Sequence, residues 1–145
     1  MKTALITGAS RGIGAACARG FAEAGYRVLV NYKSSGEQAA ALAAEIGCML
    51  FCADVGKQES VLDMKAEIDR LGLSVDVLIN NAGVSLFGLF QYVQPQQARK
   101  MYDTNLYGTL NCARAFLPEM IERKNGVIIN IASVWGEVGA SCEAD

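Results

Sequence analysis

The three glycines of Leu5-Ile6-Thr7-Gly8-Ala9-Ser10-Arg11-Gly12-Ile13-Gly14, spaced Gly8-x3-Gly12-x-Gly14, offer chemistry through the main chain. Glycine lacks a Cβ, so a turn built from it is tight and can approach an anion closely. An apolar run over 3–6 precedes the turn, and an alanine-rich amphipathic stretch over 13–24 follows it. The order is strand, glycine turn, helix. The N–H groups of the helix's first turn have no intrahelical partner and carry the positive end of its dipole, so they suit a phosphate. The spacing is one residue looser than the usual G-x-G-x-x-G fingerprint of dinucleotide sites, and an ordinary glycine-rich turn is the plainer alternative. Gly8, Ser10, Arg11, Gly12, Ile13 and Gly14 are the candidate phosphate-binding residues.

Further candidates stand where later strands should end. The second strand closes in Asn31-Tyr32-Lys33-Ser34, without the acid that hydrogen-bonds the ribose 2′-hydroxyl in NAD sites. Lys33 and Arg11 would instead pair with a 2′-phosphate, which points to NADP(H). Asn31→Asp is then expected to shift preference towards NAD. Two solvated surface cations are the alternative. Asp54-Val55 follows the third strand, where a carboxylate can accept from an adenine amine or merely cap a loop. Asn80-Asn81-Ala82-Gly83 ends the fourth strand with amides and small residues, which suits close approach to a cofactor or a simple turn. Asn105 lies near the apolar stripe of a helix, where it either caps a kink or orders a functional network. Ser133, two residues past the fifth strand, brings a hydroxyl to the same edge, although a serine there is commonly just a turn residue.

The elements that must position these residues follow from periodicity. Strands are expected over 3–6, 27–31, 48–53, 75–80 and 127–131, and helices over 13–24, 37–46 and 58–71. A stripe of Ala98, Met101, Leu106, Thr109, Ala113, Phe116 and Met120 predicts one long helix over 96–123, with Pro118 as the place for any kink. Continuous apolar strands alternating with helices mean a parallel sheet covered on both faces. The fold class is α/β, a doubly wound Rossmann-like sheet of strand order 3-2-1-4-5. All 145 residues read as one dinucleotide-binding domain.

Composition narrows the function classes. Hydrophobic residues make up 52% and charged residues 19%, with a net charge of −2 and no basic run, so nothing argues for nucleic acid or a membrane surface. No apolar run approaches the roughly 20 residues that span a bilayer, and the chain enters a strand directly after Lys2, so a cytoplasmic protein without a signal peptide is expected. Five cysteines without a C-x-x-C pair, and the absence of histidine, argue against a metal site and a His-based triad.

Thr7-Gly8-x3-Gly12-x-Gly14, Asp54, Asn80-Asn81-Ala82-Gly83, Asn105 and Ser133, in this order and spacing, resemble the short-chain dehydrogenase/reductase family along the whole chain. Within it, the opening TALITGASRGIG, the basic turn and the Asn31-Tyr32 pair are similar to the 3-oxoacyl-[acyl carrier protein] reductases. The stretch Ser133 to Glu143 also looks, more faintly, like reductases of the aminopentanone group on elongation factor P. The resemblance implies a ketone, small or carrier-bound, reduced with NADP(H). It implies that Ser133 hydrogen-bonds the substrate carbonyl and that Asn105 holds a water connected to a catalytic lysine. Asn81, Ala82 and Gly83, with Asn31, Lys33, Ser34, Asp54 and Val55, would contact the cofactor. It further implies a homotetramer using the 96–123 helix. The family's Tyr-x-x-x-Lys pair lies about a dozen residues past the serine and is absent before Asp145. The expectation is therefore that the natural protein continues, with the tyrosine next, and that 145 residues alone reduce no ketone. A fifth strand left at the sheet edge is expected to favour aggregation.

Overall fold

The computed structural model describes residues 1–138. In chain order these form β1 (Thr3–Ile6), α1 (Gly12–Glu23), β2 (Arg27–Tyr32), α2 (Gly36–Ile46), β3 (Met49–Cys52), α3 (Gln58–Arg70), β4 (Val77–Asn80), α4 (Pro95–Tyr102), α5 (Gly108–Glu122) and β5 (Val127–Asn130). All pairings are parallel, in the order β3-β2-β1-β4-β5, the doubly wound sheet that the sequence predicts.

Side chains of a strand alternate between faces, and here the alternation sorts the core into two layers. Leu5, Leu29, Phe51 and Leu78 pack with Val61, Met64 and Ile68 of α3 and with Cys112, Phe116 and Met120 of α5. Ala4, Ile6, Val28, Val30, Val77 and Ile79 pack on the opposite face with Ala15 and Ala18 of α1 and Leu42 of α2. Burial on both faces explains why these strands read as unbroken apolar runs. α2 stops where Gly47 turns left-handed at φ 68° and donates its N–H to Ala43. β5 is an edge strand, with Val127 52% and Ile129 39% exposed.

The helix expected over 96–123 runs on as one helical path, and the correction concerns the place of its irregularity, expected at Pro118. α4 passes into a π-helical stretch, Asp103–Tyr107, before α5 begins, so the change in hydrogen bonding falls there while α5 runs on through Pro118. A π turn carries an extra residue and rotates the helix face that follows. Leu106 consequently stands exposed, and the buried stripe of α5 steps by four through Gly108, Cys112, Phe116 and Met120. Among the described residues the four cysteines are free, and burial pushes the Cys112 thiol up to about 12. No helix among them is long and apolar enough to cross a membrane.

At the edge of the sheet opposite the site, Asp76 joins three elements. Its carboxylate accepts from the Thr3 N–H at 2.8 Å, from Arg123 Nη1 at 2.8 Å and from Asn125 Nδ2 at 3.4 Å. Burial alone would raise this carboxyl, but the Thr3 hydrogen bond, then Arg123 and Lys2, outweigh it and hold it below the ordinary range. A depressed carboxyl stabilises the fold fully above the unfolded value of about 3.9, and that contribution is lost as pH falls through the lower folded value. Asp76→Asn should therefore lose about 1–3 kcal/mol at neutral pH. Urea melts of both proteins should keep their gap above roughly pH 3.9 and converge as the pH falls from there through the lower folded value; a gap of constant size across that range would contradict the linkage.

Candidate functional site

The site starts from one close approach. Thr7, 1% exposed, extends β1 beside β4, and its Oγ1 accepts from the N–H groups of Asn81 and Ala82, both at 3.0 Å. Asn81 returns the contact, its Nδ2 donating to the carbonyls of Thr7 at 2.9 Å and Gly8 at 3.2 Å. These bonds draw the two strand ends together until a Cβ on Gly8 would lie 2.7 Å from the Ala82 Cα. Gly8 also takes φ +61°, so glycine is required here twice over. On the other side, Gly8 N–H donates to Asn31 Oδ1 at 3.3 Å and Ala9 N–H to the Asn31 carbonyl at 3.0 Å. Two asparagines thus hold the turn from its two flanks.

So fixed, the turn delivers the start of α1 to a cleft of about 420 Å³ along the carboxyl ends of the strands. Its walls include Gly8, Ser10, Arg11, Gly12 and Ile13 from the turn, Lys33 and Ser34 after β2, Asp54 and Val55 after β3, and Asn81, Ala82 and Gly83 after β4. Gly12 has open space where a Cβ would stand, and no side chain caps the first turn of α1. Free N–H groups facing an open glycine turn fit the pyrophosphate of a dinucleotide. Gly14 lies behind the turn, where a Cβ would meet the Ala9 Cα at 2.7 Å.

Two expectations change at β2. Asn31 is 2% exposed, and its Nδ2 donates to the carbonyls of Phe51 at 3.3 Å and Ala53 at 3.0 Å. Its amide is committed to the backbone, so Asn31→Asp would set a carboxylate against two carbonyls instead of offering an acceptor to a ribose. Lys33 is not a free cation: its Nζ lies 2.7 Å from Asp54 Oδ2. Asp54 Oδ1 meanwhile accepts from the Gly56 N–H at 3.1 Å, so this residue both shapes its loop and faces the cleft.

Asn105 and Ser133 do not line the cleft. Asn105 sits in the π stretch, and its amide pairs with both backbone groups of Val84, each at 2.8 Å. It thereby orders the loop after Gly83. Ser133 Oγ accepts from the Trp135 N–H at 3.2 Å at the start of a short 3-10 turn, Val134–Gly136. Asn80, 4% exposed, donates to Asn130 Oδ1 at 2.9 Å across the β4–β5 pair. The part of the Ser133–Glu143 stretch from 139 onward lies outside the described residues, as does Cys142. Sequence reading missed Lys100 and Thr104, which line the cleft from the α4 side. Their four-residue spacing, off the apolar stripe, is the signal that places them on one helix face.

With this geometry, the similarities to known proteins are specific. A family model for short chain dehydrogenase matches residues 2–144, and the chain belongs to that family. It is similar to a 3-oxoacyl-[acyl-carrier-protein] reductase of Staphylococcus epidermidis, 41% identical over 149 residues, which cover 99% of this chain and 61% of the relative. An acetoacetyl-CoA reductase of Rhizobium meliloti is 36% identical, over 95% of this chain and 57% of that protein. The chain thus spans roughly three fifths of the length of these relatives. A metagenomic short-chain oxidoreductase solved in complex with NADP superposes with a TM-score of 0.92 at 33% identity, over 99% of this chain and 67% of that one. A short-chain dehydrogenase of Streptomyces avermitilis gives 0.89 at 32%, over 97% and 52%.

Two glycines in the one turn should respond differently to alanine. At Gly12 the cost is that of a left-handed residue, about 1–2 kcal/mol, because nothing opposes the methyl. At Gly8 overpacking against Ala82 adds about 1–3 kcal/mol to the same strain. Calorimetric melting should rank Gly8→Ala clearly below Gly12→Ala; equal melting temperatures would mean that the β1–β4 approach is looser than described.

Proposed function

We propose that the chain is the dinucleotide-binding domain of a cytoplasmic, NADP(H)-dependent ketone reductase acting on 3-oxoacyl thioesters. The observation that carries this reading is the cleft itself. An uncapped helix start opens on it through Gly12, Arg11 stands in the turn, the end of β2 carries no acid, and Asp54 after β3 is paired with Lys33. Gly8, Ser10, Gly12 and Ile13 would hold the pyrophosphate, and Val55, Asn81, Ala82 and Gly83 the adenosine side. The nicotinamide, when bound, supplies the hydride. Arg11 and Ser34 would face the 2′-phosphate, with Lys33 beside them held to Asp54. Both curated relatives are named for 3-oxoacyl thioester substrates, which supports that substrate class. Exposed Tyr102, Leu106, Leu117 and Ile121 on α4, the π stretch and α5 support association, for which a homotetramer is the proposal.

Calorimetric titration of the intact protein with NADP⁺ and NAD⁺ tests the cofactor. NADP⁺ should bind tighter by about 1–3 kcal/mol, the value of charge-assisted hydrogen bonds. Equal or tighter NAD⁺ binding would overturn the reading.

For the substrate side, Ser133 is proposed to donate its hydroxyl to the ketone oxygen as negative charge builds there. In the intact enzyme, Ser133→Ala should lower kcat by about 10²–10³ with little change in cofactor affinity. Unchanged turnover would leave Ser133 as the turn residue it forms with Trp135.

A further inference from the structure

The cleft continues past Lys33 and Asp54 into a groove of about 570 Å³, walled by Gly56 and Lys57 on one side and by Pro95, Gln96, Arg99, Lys100, Asp103 and Thr104 on the other. Its charges can be paired off. Lys33 is bound to Asp54 at 2.7 Å, and Arg99 to Asp103 at 3.0 Å. Both carboxylates are thereby neutralised, and two ammonium groups, Lys57 and Lys100, are left without an ion pair among the described residues. Of these two, only Lys100 also lines the dinucleotide cleft, one helical turn before Thr104, which shares that wall. Two cations that line the cleft therefore stand without an ion pair among the described residues, Arg11 in the glycine turn and Lys100 on α4.

We infer that Lys100 is the specificity-determining residue for the 2′-phosphate, taking the part that the sequence pattern assigns to Lys33. An ammonium already bound to a carboxylate gives an incoming phosphate little net charge, because Asp54 repels what Lys33 attracts. Lys100 brings a full charge on a flexible four-carbon stem and pays no such penalty. The Lys33–Asp54 pair acts between them as a neutral wall that separates the adenosine end of the cleft from the outer groove. This assignment rests on the NADP(H) reading and names one residue within it.

The test uses the intact protein and two small probes, 2′,5′-ADP and 5′-AMP, titrated by calorimetry against wild type, Lys100→Gln, Lys100→Arg and Lys57→Gln. Lys100→Gln should weaken 2′,5′-ADP about tenfold or more while leaving 5′-AMP within about twofold, and Lys100→Arg should restore most of the loss. Lys57→Gln, which removes the same charge from the groove but not from the cleft, should bind both probes like wild type. Lys100 is exposed, so melting temperatures should not move. Undiminished 2′,5′-ADP binding in Lys100→Gln, or an equal loss in Lys57→Gln, would overturn the assignment. If wild type discriminates between the probes and Lys100→Gln still does, only this inference falls. If wild type does not discriminate, the NADP(H) reading falls with it.

Discussion

The approach of Gly8 to Ala82 is the constraint on which the rest of the site depends. Parallel strands diverge as they leave a sheet, yet here the ends of β1 and β4 are drawn together by Thr7 and Asn81, each bonding the other's backbone. Asn31 closes the opposite flank through the Gly8 N–H. With the side chains of Thr7, Asn31 and Asn81 spent on backbone groups inside the protein, the groups left over are those in front: the first N–H groups of α1, uncapped and beside the cleft. The site is thus the remainder of a packing problem solved elsewhere.

A second level of organisation comes from the helix opposite. The π stretch, Asp103–Tyr107, lets one continuous helical path serve two loops that line the cleft. Asn105 holds Val84 after β4. Past the stretch, Asn111, 8% exposed, donates to the Val55 carbonyl at 2.9 Å, while Gly108 lies so close to Val55 that a Cβ would come within 2.7 Å of its Cγ2. Loop positions that would otherwise be soft are fixed by side-chain amides from one element, which is how a rigid cleft is assembled from loops.

Much of this was legible in the sequence because it depends on local pattern. The strands, their order and the turn at Gly8 follow from apolar runs and glycine spacing, and the short chain dehydrogenase relatives agree with that reading. What could not be read depends on contacts between distant residues. No pattern shows that Asn31 spends its amide on Phe51 and Ala53, or that Lys33 meets Asp54. The π stretch was hidden for a different reason. The predicted stripe steps by three and four residues everywhere but from Met101 to Leu106, and that single five-residue step, which passes for a lapse in a straight helix, marks the extra residue of the π stretch.

The central claim is that a pyrophosphate dinucleotide completes the free N–H groups at the start of α1. Amide hydrogen exchange of the intact protein, with and without saturating NADP⁺, reads those groups directly. Binding should slow exchange at Gly12, Ile13 and Gly14, with smaller protection around Asn81–Gly83, and leave the Asp76–Arg123 cluster at the far edge unchanged. Exchange at 12–14 that is indifferent to the dinucleotide, while the protein demonstrably binds it, would contradict the claim and place the ligand elsewhere.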